Sequence, residues 1–113
     1  MIKSNEQMAA SVQEILEDDL AFRAWLSTKT PDTVVGRVGE SDRCPVSNFL
    51  RSALTHSYFS VHGYSVTIDY ISSCQTISVP MWVGKFVDYI DTLPANNITQ
   101  AQALYMLDYL QAN

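Results

Sequence analysis

Ser57–Val79, SYFSVHGYSVTIDYISSCQTISV, is where the apolar residues stop recurring at helical spacing and begin to alternate. Gly63, the seventh residue of this stretch, marks a turn. A two-residue turn at His62-Gly63 pairs Val61 with Tyr64, Phe59 with Val66 and Ser57 with Ile68. The large apolar side chains then fall on one face, and Tyr58, Ser60, Ser65 and Thr67 fall on the other. A second turn at Ser72 to Gln75 pairs Tyr70 with Ile77 and Ile68 with Val79, extending the same apolar face onto a third strand. Two separately placed turns agree on one three-stranded antiparallel meander, with Ser78 joining its polar face.

Upstream of the meander the pattern is helical. Ser4 followed three residues later by Gln7 is a capping-box signature, and Met8, Val12, Ile15 and Leu16 form an apolar stripe, which predicts a helix from Asn5 to Glu17. Continuing that stripe would bury Asp19, so the helix is expected to break there, with Asp18 or Asp19 capping a short second helix carrying Phe22, Trp25 and Leu26. Thr28 to Arg43 reads as a loop around Val34-Val35, where a short strand or an anchored extended segment fits. Cys44-Pro45 opens a third helix with Pro at its first position, and Val46, Phe49, Leu50, Ala53 and Leu54 form its apolar face.

Downstream, Pro80 starts a helix bearing Trp82, Phe86, Tyr89, Ile90 and Leu93, and Pro94 stops it. The last helix follows Thr99. Its AQALYMLDYL segment has one charge, Asp108, and is apolar or aromatic most of the way round, more than one buried face requires. The expected fold is α+β, a single domain over residues 1–113 with three N-terminal helical segments, a three-stranded antiparallel meander and two C-terminal helices.

Bulk composition narrows the function classes. The chain has 113 residues, 47% hydrophobic and 17% charged, with a formal charge of −5. Six basic and eight acidic side chains lie in residues 1–56, whereas residues 57–113 hold Lys85 against Asp69, Asp88, Asp91 and Asp108. Nucleic-acid affinity rests on cations that neutralise phosphates, so no direct nucleic-acid binding is expected. The start, MIKSNEQMAASVQEILEDD, lacks the apolar core of a signal peptide, and no apolar run reaches membrane length. The expected setting is cytoplasmic, away from membranes, with Cys44 and Cys74 as reduced thiols.

Cys44, His56, His62 and Cys74 are zinc-type side chains within 31 residues. The derived hairpins put His62 and Cys74 in opposite turns, and there is no close Cys-x-x-Cys pair, so no metal or other cofactor is expected. Cys44 at a helix N-terminus beside Arg43 could be activated as a nucleophile, with His56 as base and Asp69, opposite it in the derived register, as the orienting carboxylate. The competing reading is a buried structural cysteine and an ordinary cross-strand His–Asp pair.

Val34-Val35-Gly36, then Cys44-Pro45, then Phe49-Leu50 opening a helix, resembles a pattern in short uncharacterised bacterial proteins. The resemblance spans residues 34–50, implies a bacterial or phage origin, and carries no activity or residue role.

With no phosphate loop, no catalytic carboxylate pair at a recognisable spacing and no strong metal motif, the sequence points to a non-enzymatic interaction module. Such a regulatory, adaptor or inhibitory protein acts by docking on another protein, or on a second copy of itself as a homo-oligomer. Nine of the 12 aromatic residues lie in the weakly charged second half, where docking anchors are expected. The candidate binding residues are Arg37, Arg43, Tyr58, Trp82, Tyr105 and Tyr109. The alternative is a small cysteine-dependent enzyme using Cys44, His56 and Asp69.

Overall fold

The computed structural model describes residues 4–54, 58–70 and 73–112. In chain order they form α1 (Asn5–Ile15), α2 (Leu20–Ser27), β1 (Val34–Arg37), α3 (Pro45–Ala53), β2 (Tyr58–His62), β3 (Ser65–Asp69), β4 (Cys74–Ser78), α4 (Met81–Asp91), β5 (Asn97–Thr99) and α5 (Gln100–Ala112). The chain is α+β, but the expected architecture with a single sheet is corrected. The described residues form two sheets, a β2-β3-β4 meander and a β1-β5 ribbon.

The ribbon escaped the sequence reading for a physical reason. β5 is three residues long and buries only Ile98, too short to display alternation, and it runs straight into α5. Its antiparallel partner β1 is irregular between Val34 and Gly36. That irregularity leaves the Val35 carbonyl to be satisfied from outside the ladder, and the Asn48 side-chain amide on α3 donates to it at 2.8 Å. Gly36 passes so close to α3 that a Cβ there would lie 2.5 Å from the Pro45 nitrogen and ring.

In the meander the faces are as expected and the registers are not. Phe59, Val61, Val66, Ile68 and Ile77 are buried, while Tyr58 is exposed on the opposite face. The first turn lies at Gly63-Tyr64, so Val61 faces Val66 and Phe59 faces Ile68. Gly63 has φ +63°, and a two-residue hairpin loop needs positive φ at its first position, which decides where the turn falls. Each partner thereby moves two residues along β3, an even shift that preserves the faces. The second hairpin turns two residues earlier than expected: Asp69 pairs with Cys74, Val66 with Ile77 and Ile68 with Gln75, displacing the expected Ile68–Val79 pair by four residues.

The helices follow from their caps and stripes. Ser4 and Gln7 form the reciprocal capping box of α1, whose Met8, Ala9 and Val12 are buried. α1 ends at Ile15, two residues before the expected Glu17. At the break, the Asp18 carboxylate accepts from the Leu20 N–H at 3.0 Å, while Asp19 turns inward. Its burial is tolerated because Arg23 Nε and Gln111 Nε2 donate to it at 2.8 and 3.0 Å. Arg23 also reaches Asp108 at 2.7 Å, so this network ties α2 to α5.

One continuous core joins all the helices to both sheets. Phe22 is its aromatic centre, with ring centroids of Trp25, Phe49, Trp82 and Phe86 between 5.3 and 6.0 Å away. The Trp82 indole N–H donates to the Leu16 carbonyl at 2.8 Å, fixing the start of α4 against the α1–α2 junction. α5 packs on α4 along one side and on α2 along another.

Candidate functional site

α5 buries Ala103, Met106 and Leu107 but leaves Tyr105 67% and Tyr109 43% exposed. The Tyr109 ring lies 5.1 Å from that of Tyr89 on α4, so the two helices meet at an aromatic contact. Beside it is a groove of about 370 Å³ lined by Tyr89, Leu93, Ala101, Gln102, Tyr105 and Met106. The Gln102 side-chain carbonyl is engaged by the Thr99 N–H at 2.9 Å, closing the N-terminus of α5. This groove is therefore walled by hydrocarbon and ring surface, with its nearest amide already committed to the backbone.

A second depression, of about 310 Å³, lies where the start of α4 and the end of α5 meet the α1–α2 junction. Met81, Trp82, Leu107 and Leu110 supply apolar walls, and Glu17, Asp18, Asp19 and Lys85 supply charge. Met81 is 64% exposed, an unbranched and adaptable side chain of the kind that suits contact surfaces.

The sequence-derived binding residues fall in several places. Tyr105 borders the α4–α5 groove and Trp82 the second depression, with Tyr109 on the same helix pair. Trp82 is half-buried and also belongs to the core. Tyr58 stands on the polar face of the meander, opposite Asp69. Arg37 and Arg43 converge on Glu40, at 2.8 and 3.9 Å, and the Arg37 N–H donates to the Arg43 carbonyl at 2.9 Å. The two arginines thus close their own loop around an internal acid. Met81, Tyr89, Leu93 and Met106 were absent from the expected binding set. Tyr89 and Leu93, four residues apart, carried a legible helical signal, but which side of α4 α5 would leave uncovered depends on tertiary packing.

The register from which the alternative catalytic set was drawn is corrected. His56 lies outside the described residues, and the position facing Asp69 is Tyr58. The reason is the two-residue displacement of the first hairpin. Cys44 does occupy the N-cap of α3, where its sulfur accepts from the Ser47 N–H at 3.5 Å. The Ser47 hydroxyl donates to the Ser41 carbonyl, so in the 3.4 Å contact between Cys44 Sγ and Ser47 Oγ the thiol is the donor. Burial pushes the Cys44 thiol up in pKa, against the opposing effect of its hydrogen bonds with Ser47. Cys44 borders a small cavity of about 160 Å³ together with His62, Glu40 and Asp91. Among the described residues no three His, Cys, Asp or Glu side chains are grouped to hold a metal ion.

No family model, curated protein or solved structure matches the chain. Among the described residues no helix is long and apolar enough to cross a membrane. The functional reading therefore rests on the site itself.

Proposed function

We propose that the protein is a small non-enzymatic interaction module that docks on another protein through the α4–α5 face. The observation that carries this reading is the exposure of Tyr105 and Tyr109 on a helix whose opposite side is already buried in the core. Rigid aromatic side chains give large contact area for little conformational entropy, and interface hot spots are enriched in them. The neighbouring groove adds a concave apolar surface on two packed helices, so the docking face is preorganised. The burial of Cys44, which raises its thiol pKa, supports this over the cysteine-enzyme alternative, because the thiolate is the nucleophile.

The test is site-specific photo-cross-linking in the cells that produce the protein. A photoreactive residue at Tyr105 is expected to trap a discrete protein partner, whereas one at Tyr58 on the meander is expected to trap none. Trapping at Tyr58 alone would move the docking face to the sheet, and no adduct at either position would remove the reading.

A further inference from the structure

We propose that the free edge of β4 joins two copies of the chain, strand against antiparallel strand about a two-fold axis through Thr76, so that the two meanders become one continuous sheet. This edge shares no residue with the α4–α5 groove. The Val79 N–H donates to the Tyr64 carbonyl at 3.1 Å, and the Tyr70 N–H donates to the Ser73 carbonyl at 2.8 Å. In the β3–β4 register these bonds turn the main-chain groups of Gln75 and Ile77 toward β3 and those of Cys74, Thr76 and Ser78 outward. Among the described residues nothing hydrogen-bonds to that outward row, and all three of its residues are exposed. The opposite edge of the meander is covered, since the Val61 N–H donates to the Ser41 carbonyl at 2.9 Å and α3 packs on β2.

Exposed edge strands ordinarily carry a Lys, another charge, a proline or a bulge that blocks pairing. β4, with the sequence CQTIS, is regular and has none of these. Pro80 lies two positions beyond Ser78 and brings no N–H to the row, so among the described residues its donors are those of Cys74, Thr76 and Ser78, centred on Thr76. Two such rows satisfy one another completely when Thr76 meets Thr76 and Cys74 meets Ser78 of the other copy. Two features select a second copy as the occupant. On the polar face Ser60 pairs with Thr67 and Thr67 with Thr76, the two threonine hydroxyls lying 3.0 Å apart, and the two-fold continues this hydroxyl row into the same row of the other copy. A chain of charge −5 also needs a contact that keeps like charges apart. Asp69 is the sole charged residue of β3 and β4, and because it faces Cys74, away from the axis, the two-fold sends its two copies to opposite ends of the sheet.

Sedimentation of the full chain from about 10 μM to about 1 mM is expected to show a monomer–dimer equilibrium. Thr76→Lys places like charges at the axis from an exposed position, and should weaken dimerisation at least tenfold while the monomer stays folded. Tyr58→Lys, on the far strand of the meander, should leave the dimer unchanged. In the Cys74→Ser, Thr76→Cys double variant, oxidised glutathione should link two copies through the axial cysteine, where paired Cα atoms are about 5.5 Å apart. The wild type should stay unlinked, since its Cys74 faces Ser78 of the other copy. A chain that remains monomeric at about 1 mM, a Thr76→Lys variant that dimerises as tightly as wild type, or linkage of the wild type but not of the axial variant overturns the proposal. So does a dimer dissolved by Tyr105→Ala, which would place the contact on the α4–α5 face.

Discussion

Phe22→Ala tests whether the aromatic centre holds the docking helices in place. The side chain is fully buried and touches rings from α2, α3 and α4, including both tryptophans. Its removal takes away transfer free energy and leaves a void bordered by flat rings. One of these, Trp82, is further held by its bond to the Leu16 carbonyl, which limits collapse into the space. The expected loss is about 4 kcal/mol, within the usual range of roughly 3–5 for a buried Phe. With an unfolding entropy of about 2.1 cal/mol/K per residue, the whole chain has about 0.24 kcal/mol/K, so the midpoint should fall by about 17 °C. Phe22→Leu, which retains more of the volume, should cost about 1–1.5 kcal/mol and about 5 °C. Thermal unfolding followed by far-ultraviolet circular dichroism and by tryptophan fluorescence should give coincident midpoints. A loss below about 1 kcal/mol for Phe22→Ala, or separated midpoints, would refute the single aromatic core.

Other substitutions probe the corners of the fold and the site. Gly36→Ala should destabilise by about 1–3 kcal/mol because its Cβ meets the Pro45 backbone nitrogen. Gly84→Ala should cost less, since its neighbour is the half-exposed Tyr64 ring, which can swing away, and a chemical denaturation pair that reverses this order would contradict both accounts. In native protein a thiol reagent at pH 8 should label the exposed Cys74 rapidly and the buried Cys44 slowly, with mass mapping as the readout. Because the folded state raises the Cys44 pKa, its contribution to stability is full below the ordinary thiol range and is lost as the pH rises through the folded value. Cys44→Ala should flatten that alkaline decline, and an unchanged slope would reject the linkage. Tyr105→Ala should alter stability by no more than about 0.5 kcal/mol, since the side chain is exposed, and a larger loss by denaturant titration would assign Tyr105 to the core.

Much of the fold was legible because local chemistry decided it. The Ser4/Gln7 box, Pro45 and Pro80 at helix starts, and the alternation of Phe59, Val61, Val66 and Ile68 are all short-range signals. The first register slipped because His62-Gly63 and Gly63-Tyr64 both place Gly63 in the turn, and the observed turn puts its positive φ at the first position. The slips were even, so the faces survived, while the position facing Asp69 became Tyr58. The β1-β5 ribbon was illegible because it joins segments about 60 residues apart, and three residues of β5 carry no period. Asp19 shows the same limit from another direction. Its inward turn depends on Arg23 and on Gln111 from the far end of the chain. At the site, the surplus apolarity of the last helix was visible as sequence, whereas the groove needed the packing of α4 on α5 before it existed.

The most direct test of docking through α4 and α5 compares the affinity of the cross-linked partner, once identified and purified, for the wild-type chain and for the Tyr105→Ala, Tyr109→Ala double variant. The variant should keep the wild-type far-ultraviolet spectrum and bind at least tenfold more weakly, as expected for the loss of two aromatic anchors. Unchanged affinity in a folded double variant would contradict the account and move the interface away from these helices.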